Sequence, residues 1–478
     1  MTQQQKNQTK KARRGKMLDL MGWGRFPNSR SLVYRPDFPG DLSADFFTGL
    51  TQNPSEKSYI LPRGAGRSYG DQALNHAHSV ILSKKWDRLL EFAPATGILV
   101  AESGVTFADI IEIFLPQGWI MPVQPGTGFV TLGGAVANDV HGKNHDQMGS
   151  FAHFLVWFDL MLPSGVVKRV DMTSEPRLFR ATVGGSGLTG MILRVAVRLQ
   201  PIASPHVTVS YRRMTNLSQF IEALRGERAR AEAATPQNNK VLYSVGWIDA
   251  LASGKNLGRG ILESSEILTT DGSQGSDVVP ATGGANKKRQ FPIDLPSFAL
   301  NRAVIRGFNE IYYRRIPKSG TERRIPLAQF LFPLDAILDW NRLYGRAGFQ
   351  QFQCVLPDET AEPALSEILQ TSQKIGSASF LAVIKSLGGE GLGYLSFPKR
   401  GMTLALDFPR RAGSDELFRT LIAITRRYDG RVYLAKDSAL TAEDMRAMYP
   451  NLPEFLSVRQ ESDPTSLFSS NMARRLGL

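Results

Sequence analysis

The sequence predicts an α+β fold of two domains, in which short strands and helices are separated by many glycine turns. The chain has 478 residues, 42% of them hydrophobic and 21% charged, which is typical of a globular protein with large apolar cores. Alternating runs, such as residues 191–199, indicate strands. Between residues 106 and 117, the apolar side chains fall on one face of a helix that Thr106 can cap.

The chain divides into three zones after an N-terminal head. The first zone, residues 18–203, holds glycine turns and strand-like runs, which lie at 58–61, 80–83, 98–102, 155–162 and 191–199. The second zone, residues 204–427, mixes alternating strands with helical stretches. Inside it, residues 269–290 are rich in Gly, Ser, Thr, Asp and Lys, which predicts a mobile loop because such a composition buries little.

The third zone, residues 428–478, is too short to fold alone and is expected to pack on one of the other two. It predicts a strand at residues 431–435. A helix follows, and it opens at Thr441 with Asp444 three residues on, which resembles a capping box.

Positive charge is concentrated at the N-terminus. The formal net charge is +13, and residues 1–17 predict a disordered basic head with no acidic residue, since their charged side chains are Lys6, Lys10, Lys11, Arg13, Arg14 and Lys16. Such a head could attract anionic lipid headgroups or a phosphorylated substrate, or could serve only solubility. Nucleic acid is not an expected partner, because no recognition motif and no basic stripe with interleaved aromatic residues is present.

The remaining composition excludes several classes of protein. A single cysteine, Cys354, rules out an intramolecular disulfide. No apolar run is long enough to span a membrane, and no secretory signal opens the chain, so we expect a cytoplasmic protein, with peripheral contact at the inner membrane face as an option. No metal site is predicted, because His76, His78, His141 and His145 lack obvious acidic or cysteine partners.

The strongest functional signal is the glycine-rich loop at residues 62–71, which follows an apolar run. Gly64, Gly66 and Gly70 allow tight turns, and the backbone amides of such a loop can form a nest for a diphosphate. Arg63 or Arg67 could add positive charge. The spacing differs from the Rossmann fingerprint, and no long amphipathic helix follows, so a helix dipole is not the expected anion-binding device.

A second glycine-rich segment covers residues 125–144. The Gly133-Gly134 pair permits close approach of the backbone to a flat or charged ligand, and His141 and Lys143 place two polar groups near the same position. The alternative is that the glycines form ordinary turns and that His141 is a core histidine with satisfied hydrogen bonds. Two such segments within one zone favour the functional interpretation.

Two further motifs are weaker. Gly185, Gly187 and Gly190 match the Gly-x-Gly-x-x-Gly pattern, but a strand-like run follows them and no acidic residue lies at the ribose-binding distance, so we do not expect NAD there. Lys436 stands at the end of the predicted strand at 431–435 and could project into a site. The commoner situation is a surface lysine paired with Asp437.

With these motifs the chain resembles the vanillyl-alcohol-oxidase, or PCMH-type, family of FAD-binding proteins, and within it the oxidases of polyprenyl-phosphoryl sugars. The resemblance covers nearly the whole chain and is carried by residues 22–25, 66–71, 139–145, 149–151, 181–185, 333–335, 340–342, 395–398, 435–438 and 472–476. It implies a PCMH-type FAD-binding domain of two α/β subdomains at 18–203, an α+β substrate-binding cap domain at 204–427, and a C-terminal return to the FAD-binding domain at 428–478.

The resemblance also assigns residues to FAD and to substrate. The expected FAD contacts are Arg63, Gly64, Ala65, Gly66, Arg67, Ser68, Tyr69, Gly70, Asp71, Gly126, Thr131, Leu132, Gly133, Gly134, Asn138, His141 and Tyr433. The expected substrate contacts are Tyr69, Lys143, Gln353, Lys385 and Lys436. No histidine or cysteine stands where members of the family tether the flavin, which implies non-covalent FAD. Departures from the nearest relatives, at Leu331, Thr403 and Ala405, leave the exact sugar and lipid open.

The implied reaction is oxidation of the 2-hydroxyl of a polyprenyl-phosphoryl-β-D-ribose to the 2-keto sugar, the first half of epimerisation to the arabinose form. Lys436 is the expected base or hydroxyl-holding group, because a desolvated lysine has a lowered pKa. His141 is expected to orient the flavin ring or the substrate. An NADH-dependent reductase is the implied partner. The rivals are an oxidase of a free sugar, alditol or aldonolactone, a non-catalytic flavin-binding subunit, and a basic lipid- or nucleic-acid-binding protein without cofactor.

Overall fold

This computed structural model describes residues 15–50, 58–234, 240–268, 289–296, 300–375, 379 and 381–478.

The N-terminal part begins with a four-stranded sheet. The sheet has the order β1-β2-β4-β3, antiparallel between β1 and β2 and parallel elsewhere. Its strands are β1 (Lys16–Met21), β2 (Asn28–Tyr34), β3 (Ile60–Arg63) and β4 (Ser79–Leu82), and helix α1 (Ala44–Leu50) follows β2.

A five-stranded antiparallel sheet, of order β5-β6-β10-β8-β9, forms the second layer of this part. Strands β7 and β11 make a separate small pair. The strands are β5 (Leu89–Ala93), β6 (Ile98–Glu102), β7 (Trp119–Ile120), β8 (Leu155–Met161), β9 (Val167–Val170), β10 (Met191–Arg198) and β11 (Gln200–Pro201). The helices are α2 (Phe107–Phe114), α3 (Leu132–Asn138), α4 (His145–Met148) and α5 (Pro176–Thr182).

An eight-stranded antiparallel sheet dominates the rest of the chain. Its order is β16-β12-β14-β13-β19-β20-β18-β21. The strands are β12 (His206–Met214), β13 (Lys240–Ile248), β14 (Gly260–Leu268), β16 (Thr321–Pro326), β18 (Phe349–Leu356), β19 (Ala382–Leu387), β20 (Gly401–Pro409) and β21 (Arg431–Val432), while β15 (Arg289–Gln290) and β17 (Ile337–Leu338) form a short parallel pair.

The helices of this second part pack on the large sheet or on neighbouring helices. They are α6 (Leu217–Ala233), α7 (Arg302–Arg314), α8 (Leu327–Leu331), α9 (Ala361–Lys374), α10 (Ser414–Arg427), α11 (Ala442–Met448), α12 (Leu452–Ser462) and α13 (Asn471–Leu476). Apolar faces on α6, α9 and α10 are buried as their spacing requires, for example Leu365, Ile368 and Leu369 on α9. None of the described helices is long and apolar enough to cross a bilayer.

The C-terminal residues join both parts of the molecule. Strand β21 pairs with β18 at the edge of the large sheet. Farther on, Phe468 bridges Ile60 of the four-stranded sheet, and Arg475 of α13 binds Asp71 in the first glycine loop. The segment therefore holds the large sheet against the N-terminal sheets, which places the glycine loops opposite the face of β18, β19 and β20.

The predicted α+β fold is confirmed, with some local differences. The helix predicted at 106–117 is α2 followed by a 3-10 turn, and Thr106 caps it by accepting from Asp109 N. The predicted head, residues 1–17, includes two residues of a strand: Lys16 and Met17 of β1 pair with Val33 and Leu32 of β2. Residues 1–14 and 269–288 lie outside the described residues, so the predictions of a disordered head and a mobile loop fall largely there.

Candidate active site

A large cavity lies between the glycine loops of the N-terminal part and one face of the large sheet. Its walls contain eighteen of the twenty-one residues assigned to FAD or substrate from sequence: Arg63, Gly64, Ala65, Gly66, Arg67, Ser68, Tyr69, Gly126, Thr131, Gly133, Gly134, Asn138, His141, Lys143, Gln353, Lys385, Tyr433 and Lys436. Segments up to about 370 residues apart in the chain thus share one wall.

The first glycine loop presents unpaired backbone donors to this cavity. It leaves β3 at Arg63 and turns at Gly66, whose φ is +64°. Within the described residues, the N–H groups of Ala65, Gly66, Arg67 and Ser68 donate no hydrogen bond. Four successive free amides on a cavity wall form the concave donor surface that binds a phosphate or diphosphate.

The two arginines of this loop are held by the protein itself. Arg63 donates to the carbonyls of Ala73, at 2.5 Å, and Met21, at 2.7 Å, and burial lowers its pKa to about 10. The Arg67 guanidinium lies 4.2 Å from the Trp23 ring centre and 4.6 Å from that of Phe129. Arg67 therefore closes one side of the cavity as a cation stacked between aromatic rings.

The second glycine segment builds an adjoining part of the wall, where it forms helix α3. Thr131 caps this helix by accepting from Gly134 N, and Leu132 N and Gly133 N donate to carbonyls of neighbouring loops. The amides of Leu132, Gly133 and Gly134 are thus used within the protein, unlike those of the first loop. A Cβ on Gly64 would lie 2.3 Å from Thr131 Oγ1, so glycine there lets the two segments touch.

The third glycine motif also reaches the cavity, and strand β10 follows it as expected, which excludes a Rossmann helix at this place. Gly187 has a φ of +75°, and a Cβ built on it would meet nothing within 4 Å, because it faces open space. Ser186 accepts a hydrogen bond from Gln72 Nε2 at 2.9 Å, which ties this motif to the first loop.

Three residues assigned to FAD from sequence lie behind the wall rather than on it. A Cβ on Gly70 would lie 1.5 Å from the carbonyl oxygen of Asp437, so this glycine permits a close backbone contact. Asp71 binds the Arg475 guanidinium at 2.7 Å. The Leu132 side chain is fully buried in the core. Each of them supports the position of a neighbouring wall residue.

His141 lies on the cavity wall among aromatic rings. Its ring centre is 5.4 Å from Phe397 and 5.5 Å from Tyr433, and Tyr433 donates to the Asn138 carbonyl at 3.3 Å. Burial, followed by the charges of Lys385, His145 and Lys436, lowers the pKa of His141 well below its ordinary value, so the imidazole is neutral.

The hydrogen bonds of His141 leave one ring nitrogen available. Nε2 lies 3.4 Å from Gln353 Nε2, and the Gln353 amide also donates to Thr403 Oγ1 at 3.3 Å. Within the described residues, His141 Nδ1 and the Ser103 hydroxyl are buried without a partner, and both residues lie on the cavity wall. A ligand in the cavity can satisfy them.

Three lysines converge on the same cavity. Burial lowers the pKa of Lys436 to about 7 and the pKa values of Lys143 and Lys385 to about 8. The Lys436 ammonium lies 3.8 Å from the Tyr69 ring centre, and Lys143 Nζ lies 4.2 Å from the Phe330 ring centre while donating to the Phe330 carbonyl. Neighbouring cations lower one another's pKa, and an anionic ligand would relieve this repulsion, so an anion is favoured here.

Lys436 is not the surface lysine of the alternative interpretation. Asp437 turns away from it and binds Arg475 at 2.8 Å. The strand predicted at 431–435 ends at Val432, because the chain then turns, with Lys436 N donating to the Tyr433 carbonyl. That turn, rather than a strand end, directs Lys436 into the cavity.

Sequence reasoning missed the buried carboxylate behind Lys436. Asp407 on β20 is fully buried, accepts from Gln351 Nε2 at 2.5 Å, and raises the pKa of Lys436, while burial raises the pKa of Asp407 itself to about 7. The alternation of side chains along β20, which puts Thr403, Ala405 and Asp407 on one face, could have indicated this carboxylate.

The donors on this wall fit FAD. The free amides of the first loop match a diphosphate, and the aromatic pocket around His141 has the flat, apolar character that an isoalloxazine ring requires. Cys354 is buried within β18 and does not line the cavity. Among the described residues, no three His, Cys, Asp or Glu side chains come together as metal ligands.

Comparison with known proteins agrees with this geometry. A family model described as an FAD binding domain matches residues 52–171, and one described as D-arabinono-1,4-lactone oxidase matches residues 402–476. The chain is 34% identical to decaprenylphosphoryl-β-D-ribose oxidase of Mycolicibacterium smegmatis, over 96% of this chain and 97% of that protein. It is 22% identical to L-gulonolactone oxidase 5 of Arabidopsis thaliana, over 78% of this chain and 68% of that protein.

The unpaired amides, the neutral buried histidine and the lysine cluster define the site of an FAD-dependent oxidoreductase. An uncharacterised Streptomyces coelicolor protein is also 33% identical, over 78% of this chain and its own full length. The chain therefore belongs to the vanillyl-alcohol-oxidase type of FAD-binding oxidoreductases, and FAD is its cofactor.

Proposed function

We propose that this protein uses non-covalently bound FAD to oxidise the 2-hydroxyl of a polyprenyl-phosphoryl-β-D-ribose to the 2-keto sugar. The observation that carries the proposal is the convergence of Lys143, Lys385 and Lys436 on a cavity that also fits a flavin. A neutral sugar needs no such concentration of buried ammonium groups, whereas a phosphodiester between sugar and lipid does. The near full-length similarity to the mycobacterial oxidase of such a sugar supports the same substrate.

Lys143 and Lys385 are proposed to hold the substrate phosphate. Burial and the repulsion between them lower the pKa of Lys385 to about 8, so its charge is costly without an anion. A bound phosphate raises both pKa values again and fixes the two ammonium groups. Lys143 is anchored by the Phe330 carbonyl and keeps further protons free for a second acceptor.

Lys436 is proposed to accept the proton of the 2-hydroxyl. With a pKa of about 7, a large fraction of the side chain is the neutral amine near neutral pH, which is the condition for an efficient base. FAD, when bound, supplies the acceptor for the hydride that leaves the 2-carbon. The resulting ammonium is balanced by Asp407 through their electrostatic interaction.

His141 is proposed to orient rather than to transfer protons. Its pKa is held well below the ordinary value, so it does not take up a proton near neutral pH. Nδ1 and Nε2 instead supply hydrogen bonds in fixed directions, and Gln353, next to it, offers an amide to a sugar hydroxyl. Tyr69 limits the position of Lys436 by contact with its ammonium group.

A substrate panel tests the proposal. The purified protein is mixed without oxygen with a short-chain prenyl-phosphoryl ribose, with the arabinose epimer, and with ribose, and the loss of oxidised-flavin absorbance is followed. We expect rapid bleaching by the prenyl-phosphoryl ribose alone. Bleaching by free ribose at an equal rate would overturn the assignment of the phosphate. A yellow preparation bleached by none of them would favour a non-catalytic flavin-binding subunit.

The second candidate is oxidation of a free sugar, alditol or aldonolactone. It is favoured by the match of residues 402–476 to a lactone oxidase model, which covers β20 and the segment carrying Lys436. Arabinono- and gulonolactone belong in the same panel. Lysine-to-glutamine substitutions separate the candidates, because loss of Lys143 or Lys385 raises KM only for a substrate that carries a phosphate.

Two partners accompany the proposed reaction. The product is a ketone, so a separate NADH-dependent reductase is needed to complete epimerisation to the arabinose form. A polyprenyl substrate resides in a bilayer, so peripheral contact with the inner membrane face is proposed as well, with the cytoplasm as the compartment. The basic head offers positive charge for such contact.

A further inference from the structure

Helix α7 carries an exposed apolar ridge that the site does not use. Val304, Phe308 and Ile311 lie on one face of the helix and are 52%, 40% and 74% exposed. Ile305 and Asn309, on another face, are buried. Ile305 belongs to an apolar cluster with Leu251 and Trp340, and Asn309 donates to Asp249 Oδ1 at 2.7 Å, which holds the helix in place. An exposed row of three large apolar side chains on an amphipathic helix is a typical interaction surface.

The ridge leads into the active-site cavity through aromatic rings. Phe308 stacks on Tyr312 with ring centres 5.6 Å apart, and Tyr312 packs on Trp247 at 4.7 Å. Tyr312 and Trp247 both line the cavity. An apolar chain that entered the cavity along these rings would pass directly beneath the ridge.

Positive charge lies next to the ridge at Arg315 and is concentrated in the surrounding sequence. Arg315, one turn beyond Ile311, covers the Tyr312 ring at 3.9 Å, and Arg315 and Arg323 each lie 6.0 Å from the Tyr211 ring centre. Residues 302–324 contain seven basic and two acidic side chains. Among the ion pairs between described residues, none involves Arg306, Lys318, Arg323 or Arg324.

We propose that the α7 ridge inserts into the surface of an anionic bilayer and that the prenyl tail of the substrate enters the cavity from the bilayer past Tyr312. Apolar side chains flanked by arginines match an anionic lipid interface, in which the former enter the acyl boundary and the latter meet the headgroups. The passage of the tail rests on the proposed substrate, whereas the docking itself does not.

Sedimentation with vesicles tests the docking without any substrate. The full chain is mixed with phosphatidylcholine vesicles that contain about 30 mol% phosphatidylglycerol. The test variant carries Val304→Glu and Ile311→Glu. The matched control carries Val166→Glu and Val167→Glu at the β8–β9 turn, where these side chains are 54% and 45% exposed. Flavin content and circular dichroism are compared, and Ile311→Ser replaces the double variant if its fold is disturbed.

We expect the wild type and the control to bind, and the ridge variant to bind at least about tenfold more weakly. Its turnover of a soluble short-chain substrate stays normal, while kcat/KM for a long-chain substrate in vesicles falls. Wild-type-like vesicle binding by the ridge variant, or no binding by the wild type, overturns the proposal. So does a change of oligomeric state in the ridge variant, since the ridge then covers a second copy. Loss of binding on deletion of residues 1–14 alone assigns docking to the head instead.

These outcomes separate the ridge from the proposed reaction. If the ridge variant loses vesicle binding but neither protein oxidises prenyl-phosphoryl ribose, the docking surface stands and the substrate assignment falls. If both proteins oxidise the short-chain substrate and bind vesicles equally, the reaction stands and the docking surface falls.

Discussion

Replacing Asp407 by asparagine tests the proposed role of Lys436 through the pH dependence of oxidation. Burial lowers the pKa of the Lys436 ammonium to about 7, and the Asp407 carboxylate opposes that shift. Asparagine retains an acceptor oxygen for Gln351 Nε2 but removes the negative charge. The pKa of Lys436 therefore falls further in Asp407→Asn, and the acid limb of kcat/KM moves to lower pH.

The size of the effect follows from the neutral fraction of Lys436. An opposite charge nearby moves a pKa by about one to three units. The loss of one unit, from about 7, raises the neutral fraction at about pH 7, where roughly half of Asp407 is ionised, from roughly a half to at most roughly nine tenths. Because the neutral amine accepts the hydroxyl proton, kcat/KM at that pH rises up to about twofold relative to its plateau.

Rapid mixing without oxygen measures this shift, with flavin bleaching by a short-chain substrate followed across the pH range. Glu263→Gln is the matched control, because the Glu263 carboxylate lines the same cavity and raises the pKa of Lys143 instead. That variant should move the alkaline limb downward and leave the acid limb in place. Lys436 is not the base if the acid limb of Asp407→Asn stays in place or moves to higher pH, or if the acid limb persists in Lys436→Met.

Three further predictions concern binding and stability. Lys143→Gln and Lys385→Gln should each raise KM for a phosphorylated substrate about tenfold with unchanged flavin content, since a charged hydrogen bond contributes about 1.5–3 kcal/mol; an unchanged KM would contradict this. The pKa of each lysine is about 8, so wild-type KM should rise as the pH passes that value and the ammonium groups lose their charge; a flat profile would argue against phosphate binding. Arg475→Met leaves the buried Asp437 unpaired and should lower the free energy of unfolding by about 3–5 kcal/mol in denaturant titrations; a loss below about 1 kcal/mol would show that the pair contributes little.

The fold was predictable where local patterns decide it. The Thr106 cap and the apolar face of α2 appeared as expected, as did β6 and the capping box at Thr441 and Asp444. These features depend on residues within one or two turns of each other. The length of strand β21 was overestimated because residues 433–435 continue its alternating pattern. The chain instead turns after Val432, with Lys436 N donating to the Tyr433 carbonyl, and this turn depends on long-range packing.

The candidate site was predictable mainly through its motifs. The glycine loops indicated a diphosphate from residue types alone, but the resemblance was needed to identify FAD and to bring Lys385 and Gln353 to the same place. Their adjacency arises from the register of β18, β19 and β20, which pairs Lys385 with Thr403 and Gln353 with Ala405. Register between strands is set by tertiary structure, so no short window of sequence contains it.

The buried carboxylates show the same limit. Asp71 was assigned to FAD through the family resemblance, but it pairs with Arg475, some four hundred residues later. Asp407 was overlooked because a lone acidic residue in an apolar strand gives no indication of its partner. Its proximity to Lys436 becomes apparent only when β20 and the turn after β21 face each other.

In the proposed reaction, the lysine cluster recognises a phosphorylated sugar whose 2-hydroxyl is then oxidised. A single-turnover titration of the bound flavin, without oxygen, with a short-chain prenyl-phosphoryl ribose and with its 2-deoxy analogue tests both steps. We expect complete bleaching by the first compound and none by the second, although both bind. Bleaching by the 2-deoxy compound, or equal bleaching by unphosphorylated ribose, would contradict the proposed reaction.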